Sequence, residues 1–548
     1  MGDKRFKDPV YGYIEIDEEL IVQVVDTAFF QRLRDVIQTS YAPLYSSAVH
    51  NRFVHSLGVY HLGRIAANAF LDSLGDKSSP VFSNVQQYIK VFELACLLHD
   101  VGHAPFSHTG EKFYLEKGER DKLHKRILEL TNDSELEKEI KNNSYKAAPH
   151  ELMSVMVSLQ KFKDSIPDEM SSFFARCIIG YKYVNHMDTQ KSFMNSLIEL
   201  LNSKIIDVDK LDYLLRDSYM TGFDTIKIDY IRLLKSIRVI MDKQGYYRIC
   251  YDKAAVSVLE NVVYAHDAER KWIQNHPIVL YDAYLGENAL YQVMHQILKS
   301  EVLSDKLLSD EGVEVENYGK VRLMGDSDVH YLMKNLIENC ACVKEYYDRN
   351  LRKHPLWKTE AEFQAIFLGH ERELDVIEKE FDSLRNSLRT QGIPFIINSA
   401  VLDICQQEVK DTQKLMDSSE GIEKEKNKAS LEVKSRHVKW MQILKTFADS
   451  QNIDFDFQII YTNQFNSGFR KQEFGNIELI FSELKNPCKF EEVSTVLTSQ
   501  KSKGEKFFYL YYNRKNMEQK LKINELITQM LIFASEIKLK QSISERLV

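Results

Sequence analysis

One short segment of the chain places three imidazoles and a carboxylate within ten residues. His99, Asp100, His103 and His108 all lie in LLHDVGHAPFSH, residues 97–108. An apolar run precedes them, and a glycine and a proline interrupt them, so we expect the end of a buried helix and a turn. Adjacent His and Asp side chains are about 100° apart around a helix and can reach one cation. A single histidine here would more often be a core or capping residue, but four such groups favour a metal site with proton-transfer groups beside it.

Two further helix starts carry groups of the same kinds. His55 follows Arg52 by three residues in HNRFVHSLGVYH, so both side chains lie on one turn and suit a ligand beside an anion-binding group. His150 and Glu151 begin another apolar helix, where an acid can cap the helix or form an acid/base pair with the histidine. The charged, loop-like residues 111–150 predict an insertion over the site.

A fourth segment, DVDKLDYLLRD at residues 207–217, predicts an amphipathic helix. Asp209, Lys210, Tyr213 and Asp217 fall on one face, and leucines cover the other. A carboxylate for a cation, an ammonium for phosphate and polar groups for a sugar would suit a phosphorylated ligand. An ordinary helix with an ion-paired surface fits the same pattern, so the helix alone leaves both interpretations open.

The overall composition limits the fold class. A chain of 548 residues, 44% of them hydrophobic, is expected to form two or three globular domains. Only 21 glycines and 10 prolines leave few turn-forming residues, so we predict a mainly α fold.

The composition also limits partners and location. The net charge of −8 argues against a protein that coats nucleic acid, although local basic pockets remain open. Seven cysteines without a CxxC spacing predict neither disulfides nor a zinc knuckle. The N-terminus has no signal-like apolar core, and no run is long enough to span a membrane. We therefore expect a soluble, cytoplasmic protein.

We place a domain boundary near residue 358, where the composition changes. Residues 1–358 hold all the candidate chemistry and form the predicted core. Residues 370–448 are rich in Glu, Lys and Gln and predict long exposed helices, and the alternating and aromatic runs of 453–515 predict strands. With a final helix, these make 359–548 a small helical and α/β lobe with a regulatory or assembly role.

In combination, the motifs resemble those of the HD-domain deoxynucleoside triphosphate triphosphohydrolases, which include dGTP triphosphohydrolase-like proteins and the SAM-and-HD-domain enzymes. The matching segments run in family order and are DPVYG at 8, DTAFFQRLRDVIQ at 26, HNRFVHSLGVYHLG at 50, LLHDVGHAPFSH at 97, HE at 150 and DVDKLDYLLRDS at 207. The resemblance implies an HD-domain helical core.

The resemblance also implies roles for individual residues. It implies four ligands for a divalent metal ion, Mg, Mn, Fe, Ni or Zn, namely His55, His99, Asp100 and Asp209. It implies proton transfer by His103, His108, His150 and Glu151. It implies triphosphate contacts from Arg52, Lys210, Tyr213 and Arg270, and contacts to the sugar 3′-hydroxyl from Gln38 and Asp217.

Two positions depart from the family pattern around the sugar. Thr39 stands where many relatives carry a leucine that crowds the 2′ position, and Ile278 aligns where relatives place a tyrosine on the sugar. Because excluding a ribose by shape depends on filling that volume, both changes weaken the expected preference for deoxynucleotides.

One segment matches the guanine-reading allosteric set of the regulated family members, through Asp26, Gln31 and Arg34. Periodicity alone would place Arg32 and Arg34 on a solvated helix face, and the resemblance overturns that interpretation for Arg34. It implies a GTP or dNTP activator and a nucleotide-induced homo-oligomer, from dimer to hexamer.

The expected function is a metal-dependent dNTP triphosphohydrolase that produces deoxynucleoside and triphosphate, for dNTP pool control or phage defence. One alternative is an HD phosphatase or nuclease that acts on monophosphates or single strands. Arg52, Lys210 and Tyr213 disfavour it, because three such contacts exceed what one phosphate needs. The other alternative is a nucleotide-sensing scaffold without turnover, which the complete set of metal ligands disfavours.

Overall fold

The computed structural model of this chain describes residues 3–74, 84–114, 119–142, 147–184, 188–203, 205–223, 227–300, 303–391, 395–462, 474–482, 486–494, 496, 507–514 and 520–547. The chain forms two compact units, residues 1–347 with 463–505 and residues 348–462 with 506–548. Helices dominate both units, which confirms the mainly α prediction, and small sheets accompany them. Among the described residues, no helix combines the length and the apolarity needed to cross a membrane.

Long helices and short strands follow one another along the chain. The α-helices are α1 Glu18–Leu20, α2 Ala28–Gln31, α3 Arg52–Ser73, α4 Val85–Leu98, α5 His108–Glu111, α6 Glu119–Thr131, α7 Ser134–Asn142, α8 Pro149–Lys161, α9 Ser171–Ile179, α10 Thr189–Leu201, α11 Val208–Thr221, α12 Tyr230–Lys235, α13 Val256–Glu269, α14 Pro277–Gln292, α15 Asp305–Leu308, α16 Asp326–Lys334, α17 Ala341–Tyr347, α18 Glu360–Ile366, α19 Glu371–Thr390, α20 Ser399–Ser418, α21 Gly421–Gln451, α22 Phe490–Val493 and α23 Ile523–Leu547. The strands are β1 Asp3–Asp8, β2 Gly12–Asp17, β3 Ile237–Met241, β4 Tyr247–Asp252, β5 Val313–Val315, β6 Gly319–Val321, β7 His354–Pro355, β8 Ile396–Asn398, β9 Asp456–Tyr461, β10 Glu478–Ile480, β11 Cys488–Lys489 and β12 Phe508–Tyr512.

The sheets of the first unit are small and lie among its helices. β1 and β2 form an antiparallel hairpin, as do β5 and β6, and a four-stranded sheet has the order β11-β10-β4-β3. β10 pairs in parallel with β4, although the sequence prediction assigned residues beyond 358 to one contiguous lobe. A three-residue strand carries no local signal of so distant a partner, which is why its place could not be predicted from the sequence.

The second unit is built around a sheet of order β7-β12-β9-β8. The Phe381 ring of α19 lies 5.4 Å from Trp440 of α21 and 5.5 Å from Phe508 of β12. Trp357 donates its indole N–H to the Phe508 carbonyl at 2.8 Å. These helices, strands and the final helix α23 are the kinds of element that the sequence predicted for this region.

The stretch 111–150 differs from the prediction of a loop-like insertion. Its described part contains α6 and α7, and Leu123, Ile127 and Leu136 are buried. Leu123 and Ile127 are four residues apart and so share one helix face, which is the apolar signal that the high charge of this stretch obscured.

Helix α3 crosses the core of the first unit, and a glycine sets how closely α11 approaches it. A Cβ atom at Gly58 would lie 1.9 Å from Asp212 Oδ1 and 2.4 Å from an Arg216 guanidinium nitrogen. Only a glycine leaves room for this contact. Because His55 lies one turn earlier on α3, the close approach brings its ring to the acidic residues of α11.

The turn after α4 is held from two sides. The Gly102 N–H donates to Ser154 Oγ of α8 at 2.9 Å, and a Cβ at Gly102 would lie 2.3 Å from the Ser154 nitrogen. The expectation of a solvated Arg32 is wrong, because its buried guanidinium donates to the Val101 carbonyl at 3.1 Å and the His103 carbonyl at 2.8 Å. This role could not be predicted from the sequence, because helix periodicity does not show which backbone carbonyls of other segments a side chain will meet.

We expect Gly58→Ala to destabilise the first unit by about 1–3 kcal/mol, because the added methyl overpacks the α3–α11 contact. Gly286→Ala in α14 is the matched control, since its nearest contact would be an ordinary 3.6 Å to Tyr346. The control should be neutral or stabilising, because alanine is the better helix former. Urea unfolding of the two variants checks this, and equal midpoints would contradict it.

Candidate active site

The four predicted metal ligands converge on one point in the first unit. His55 lies in the first turn of α3, His99 and Asp100 follow the end of α4, and Asp209 lies in the first turn of α11. His55 Nε2 is 3.0 Å from Asp209 Oδ1, 3.3 Å from His99 Nε2 and 3.5 Å from Asp100 Oδ2. All but Asp209 are almost fully buried.

The outer nitrogens of the two histidines fix which nitrogen faces inward. His55 Nδ1 donates to Asp212 Oδ2 at 2.7 Å, and His99 Nδ1 donates to the Cys96 carbonyl at 2.9 Å. Because a carboxylate and a carbonyl only accept, each neutral ring presents an Nε2 lone pair to the cluster. Nε2 of each histidine then lies within 3.7 Å of an Asp100 oxygen and of an Asp209 oxygen. A divalent cation removes the repulsion between such electron-pair donors, so His55, His99 and Asp100 form a group that can hold a metal ion, with Asp209 beside it.

The carboxylate behind His55 belongs to a buried charged network that the sequence analysis missed. Asp212 accepts from Arg216 Nε at 2.9 Å and from the Tyr11 hydroxyl at 2.6 Å, and Arg216 also donates to Asp8 at 2.9 Å. Burial alone would raise the pKa of Asp212, but Arg216 and His55 lower it to about 2. The DPVYG segment at residue 8 thus contributes to orienting His55, a predicted metal ligand, in the way that outer carboxylates orient histidine ligands of metal sites.

A second cluster lies beside the metal-ligand group. His108 Nδ1 and His150 Nδ1 both donate to Glu111, the latter at 2.9 Å. His103 stacks on His150 with ring centroids 4.2 Å apart, and His103 Nε2 lies 3.2 Å from Asp100 Oδ1. Glu111 was not among the residues predicted from the sequence, although it stands one turn after His108 in HTGE and that spacing places both on one helix face.

The charges in this second cluster follow from burial and from Glu111. Burial alone would raise the pKa of Glu111, but His150 and His108 hold it well below its usual range. Burial alone would lower the pKa of His150, but Glu111 raises it to about 9. Burial and Arg52 hold the pKa of His103 well below its usual range. A carboxylate, a charged imidazole and a neutral imidazole in contact are suited to proton transfer.

Residues 52–155, which carry both clusters except Asp209, match the HD domain family. This segment is an HD domain. The chain is similar to the deoxynucleoside triphosphate triphosphohydrolase SAMHD1 of Homo sapiens, at 28% identity over 351 residues that cover 61% of this chain and 48% of that protein. It is 27% identical over 319 residues to the SAMHD1 homolog of Dictyostelium discoideum, covering 56% and 54% of the two chains. These matches confirm the predicted resemblance to HD-domain dNTP triphosphohydrolase-like proteins.

Other relatives add the fold but no activity. An uncharacterized protein of Mycoplasma genitalium is 31% identical over 268 residues, which cover 48% of this chain and 53% of that protein. The chain spans about half the length of the curated relatives it matches. A crystal structure of a hypothetical protein from Aquifex aeolicus aligns with a TM-score of 0.55 at 18% identity, over 96% of this chain and 100% of that chain. A phosphohydrolase from Bacteroides thetaiotaomicron aligns with a TM-score of 0.54 at 17% identity, over 93% and 100%. At such low sequence identity, the structural similarity is evidence for the fold alone.

Glu151 does not join the proton-transfer cluster of the HD domain. Its carboxylate accepts from the Ala148 N–H at the start of α8 and from Asn202 Nδ2 at 2.8 Å. Of the two interpretations of the HE motif, these contacts match helix capping. A catalytic role for Glu151 remains a prediction.

Arg52 links the metal-ligand group to the predicted sugar and proton-transfer residues. Its Nη1 donates to Asp100 Oδ2 at 2.7 Å, and its Nη2 donates to the Gln38 carbonyl at 3.3 Å. The same Nη2 lies 3.4 Å from His108 Nε2. A cation in this position can hold a phosphate beside the metal site and beside a proton donor.

Two of the three remaining predicted phosphate-binding residues are paired with acids. Lys210 Nζ donates to the Ser203 carbonyl at 2.8 Å and to Asp207, and Arg270 donates to Asp267 at 3.1 Å. Tyr213 lies half-buried on the same helix face as Lys210, and burial raises the pKa of its phenol well above 10.

The predicted sugar contacts lie in a polar, buried region. Asp217 Oδ1 is 2.7 Å from His50 Nε2, and Gln38 is buried. Burial, then the charge of Asp217, raises the pKa of the Glu269 carboxyl well above its usual range. His50 and Glu269 were missed by the sequence analysis, because neither stands in a recognisable spacing with Asp217.

The two departures from the family pattern differ in exposure. Thr39 is half-buried, and its Oγ1 has no hydrogen-bond partner among the described residues. Ile278 is 42% exposed. Neither side chain has the bulk of the residue that it replaces at the sugar.

Two of the three predicted allosteric residues are in contact. Gln31 accepts from Arg34 Nε at 2.7 Å and donates to the Val25 carbonyl at 2.7 Å. The Arg34 guanidinium lies 3.6 Å from the Phe53 ring centroid. Asp26 is exposed and pairs with Lys4 at 3.2 Å. The allosteric role of these residues remains a prediction.

Asp212→Asn is expected to weaken metal binding about 10- to 100-fold, because it removes the charge that orients His55. Metal content per chain, measured by plasma mass spectrometry after dialysis against limiting Mn²⁺, checks this. Asp133→Asn is the matched control, since Asp133 also pairs with a buried arginine, Arg176 at 3.0 Å, but contacts no ligand. Equal metal loss in both variants would contradict the prediction.

Glu111→Gln is expected to lower turnover about 100-fold and to change its pH dependence. Without the Glu111 carboxylate, which raises the pKa of His150 to about 9, burial lowers that pKa, so the alkaline limb of kcat/KM moves to lower pH. Rates from pH 5.5 to 9.5 check this. Glu151→Gln should keep the alkaline limb of kcat/KM near pH 9 if Glu151 is a helix cap. An equal shift of the limb to lower pH in both variants would contradict its assignment to the Glu111–His150 pair.

Proposed function

We propose that the chain is a metal-dependent dNTP triphosphohydrolase, which converts dNTP and water into deoxynucleoside and triphosphate. The observation that carries the proposal is the position of Arg52, whose guanidinium contacts the metal-site Asp100 and lies beside His108. One side chain thus joins the three things that phosphoryl transfer needs, a cation site, an anion contact and a proton donor.

The chemistry assigns one task to each cluster. A divalent metal ion bound by His55, His99, Asp100 and Asp209 would supply a polarised water and Lewis-acid stabilisation of a phosphoryl oxygen. Arg52 and Lys210 would hold the triphosphate and offset its charge for in-line attack at the α-phosphorus.

The leaving oxygen needs a proton when its bond to the α-phosphorus breaks. His108 is the proposed donor, since Glu111 accepts from its Nδ1 and its side chain is exposed, so that an incoming substrate can reach it. The new bond forms from the water oxygen to phosphorus, and the proton that the water loses recharges the Glu111-linked histidines. The supported step is therefore P–O5′ cleavage with protonation of the 5′-oxygen.

The cations proposed for the triphosphate are already paired with acids, Arg52 with Asp100 and Lys210 with Asp207. A bound triphosphate must therefore replace these carboxylates as the partner of each cation, and breaking the ion pairs costs free energy. A monophosphate carries less charge than a triphosphate and compensates for less of this cost. This favours the triphosphate over the monophosphate or single-strand substrates of the alternative. We extend the proposal to a nucleotide activator at Asp26, Gln31 and Arg34, to a homo-oligomer, and to a role in dNTP pool control or phage defence.

The purified protein should be incubated with Mn²⁺ or Mg²⁺ and an equimolar mix of four dNTPs and four NTPs. We expect deoxynucleoside and triphosphate in equal amounts, absent from His99→Ala/Asp100→Ala and unchanged in His370→Ala, an exposed histidine of the second unit. Chromatography of nucleosides, monophosphates and triphosphate gives the readout. Monophosphate as the product, or no product with any metal, would overturn the proposal, and binding without turnover would favour the scaffold.

A further inference from the structure

A buried carboxylate at the start of α16 holds two segments that reach the HD-domain site from different directions. Asp326 is only 3% exposed. Its Oδ1 accepts the Phe106 N–H at 2.7 Å, and its Oδ2 accepts the Ile37 N–H at 2.9 Å. One side chain therefore fixes the separation of these two backbone segments.

Each segment carries a residue of the proposed active site. Ile37 precedes Gln38, the proposed sugar contact, and Phe106 stands two residues before His108, the proposed proton donor. Asp326 contacts neither functional side chain. Its influence can act only through the backbone that carries them.

The turn at Phe106 needs an external restraint. Phe106 has φ +60° and Ser107 has φ +49°, a left-handed conformation that non-glycine residues adopt only when their surroundings hold them there. Ser107 Oγ donates to the Ile37 carbonyl at 2.6 Å and accepts from Arg52 Nε at 3.0 Å. The Asp326 and Ser107 contacts thus tie this strained turn to the segment at residue 37.

Capping of α16 does not explain the burial of Asp326. That task falls to Asp328, whose Oδ2 accepts the Gly325 N–H at 2.9 Å. The Asp326 carboxylate bonds instead to two remote segments, 220 and 289 residues away in sequence. Arg32 donates to the Met324 carbonyl at 2.9 Å and to the His103 carbonyl at 2.8 Å, so the segment before α16 is also linked to the segment before the Phe106 turn.

We propose that Asp326 is a positioning residue, which sets His108 against the leaving oxygen and Gln38 against the sugar through the Phe106 and Ile37 amides. This inference rests on the proposed triphosphohydrolase function. Asp326 would act on both proposed substrate contacts through backbone N–H groups.

The test compares Asp326→Asn with Asp328→Asn, two isosteric changes in one helix turn. An asparagine at 326 can accept from only one of the two N–H groups and turns its amide N–H₂ toward the other. We expect kcat for dNTP to fall at least about 10-fold and KM to rise in Asp326→Asn. Metal content should stay within about 3-fold of wild type, because the hydrogen bonds of Asp326 are to the Phe106 and Ile37 N–H groups and to none of the predicted metal ligands. Asp328→Asn should leave kcat and KM unchanged.

Hydrogen exchange separates this inference from the proposed function. Exchange at residues 36–38 and 104–108 should be faster in Asp326→Asn than in Asp328→Asn. Unchanged exchange there would overturn the positioning role, whether or not the protein hydrolyses dNTP. Faster exchange with unchanged kinetics would overturn it too. If the wild type hydrolyses no dNTP, the proposed function fails and the inference fails with it as a statement about catalysis.

A variant that leaves the helix intact guards against misfolding of Asp326→Asn. Ser107→Ala removes the hydroxyl bond to the Ile37 carbonyl and so loosens the same pair of segments. It should lower kcat in the same direction by a smaller factor. Wild-type kinetics in Ser107→Ala together with an unfolded Asp326→Asn would count against the proposal.

Discussion

The active-site geometry depends on which nitrogen of two buried histidines faces the predicted ligand cluster. Asp212 and the Cys96 carbonyl fix this by accepting the Nδ1 protons of His55 and His99, so that Nε2 of each ring turns inward. With both rings neutral, the inward groups are all electron-pair donors, an arrangement that a cation stabilises. Much of the unit serves this requirement. Gly58 admits Asp212 to the side of α3, and the N-terminal hairpin contributes part of the network that keeps the carboxylate charged.

Charge compensation organises the rest of the site. Buried cations are tolerated only with partners, and here the partners are the acids that surround the proposed substrate pocket. Burial alone would raise the pKa of Asp100, but Arg52 and two histidines hold it well below its usual range. The same Arg52 helps to keep His103 neutral. The site is therefore charged and preorganised before substrate binds, which is the condition under which electrostatic stabilisation is most effective.

Two histidine groups with different tasks lie in contact in one HD domain. One group, the predicted metal ligands, is oriented by the Asp212 carboxylate and the Cys96 carbonyl, and the other shares Glu111 and is suited to proton transfer. His103 lies between them, stacked on His150 and close to Asp100. Backbone restraint supports this division, since the strained turn that leads to His108 is held by Arg52 through Ser107 and by the start of α16.

The sequence by itself determined the helical class and the segments that carry chemistry, because helix periodicity and short motifs are local properties of the chain. The sequence also suggested a proton-transfer role for Glu151, whose contacts in the structure match a helix cap. It suggested a solvated Arg32, whose side chain is buried. Only the tertiary structure revealed Asp212, Glu111 and the pairing of β10 with β4. Each of these depends on a close approach of segments far apart in the chain or on the direction of one side chain. Local spacing contains no information about either.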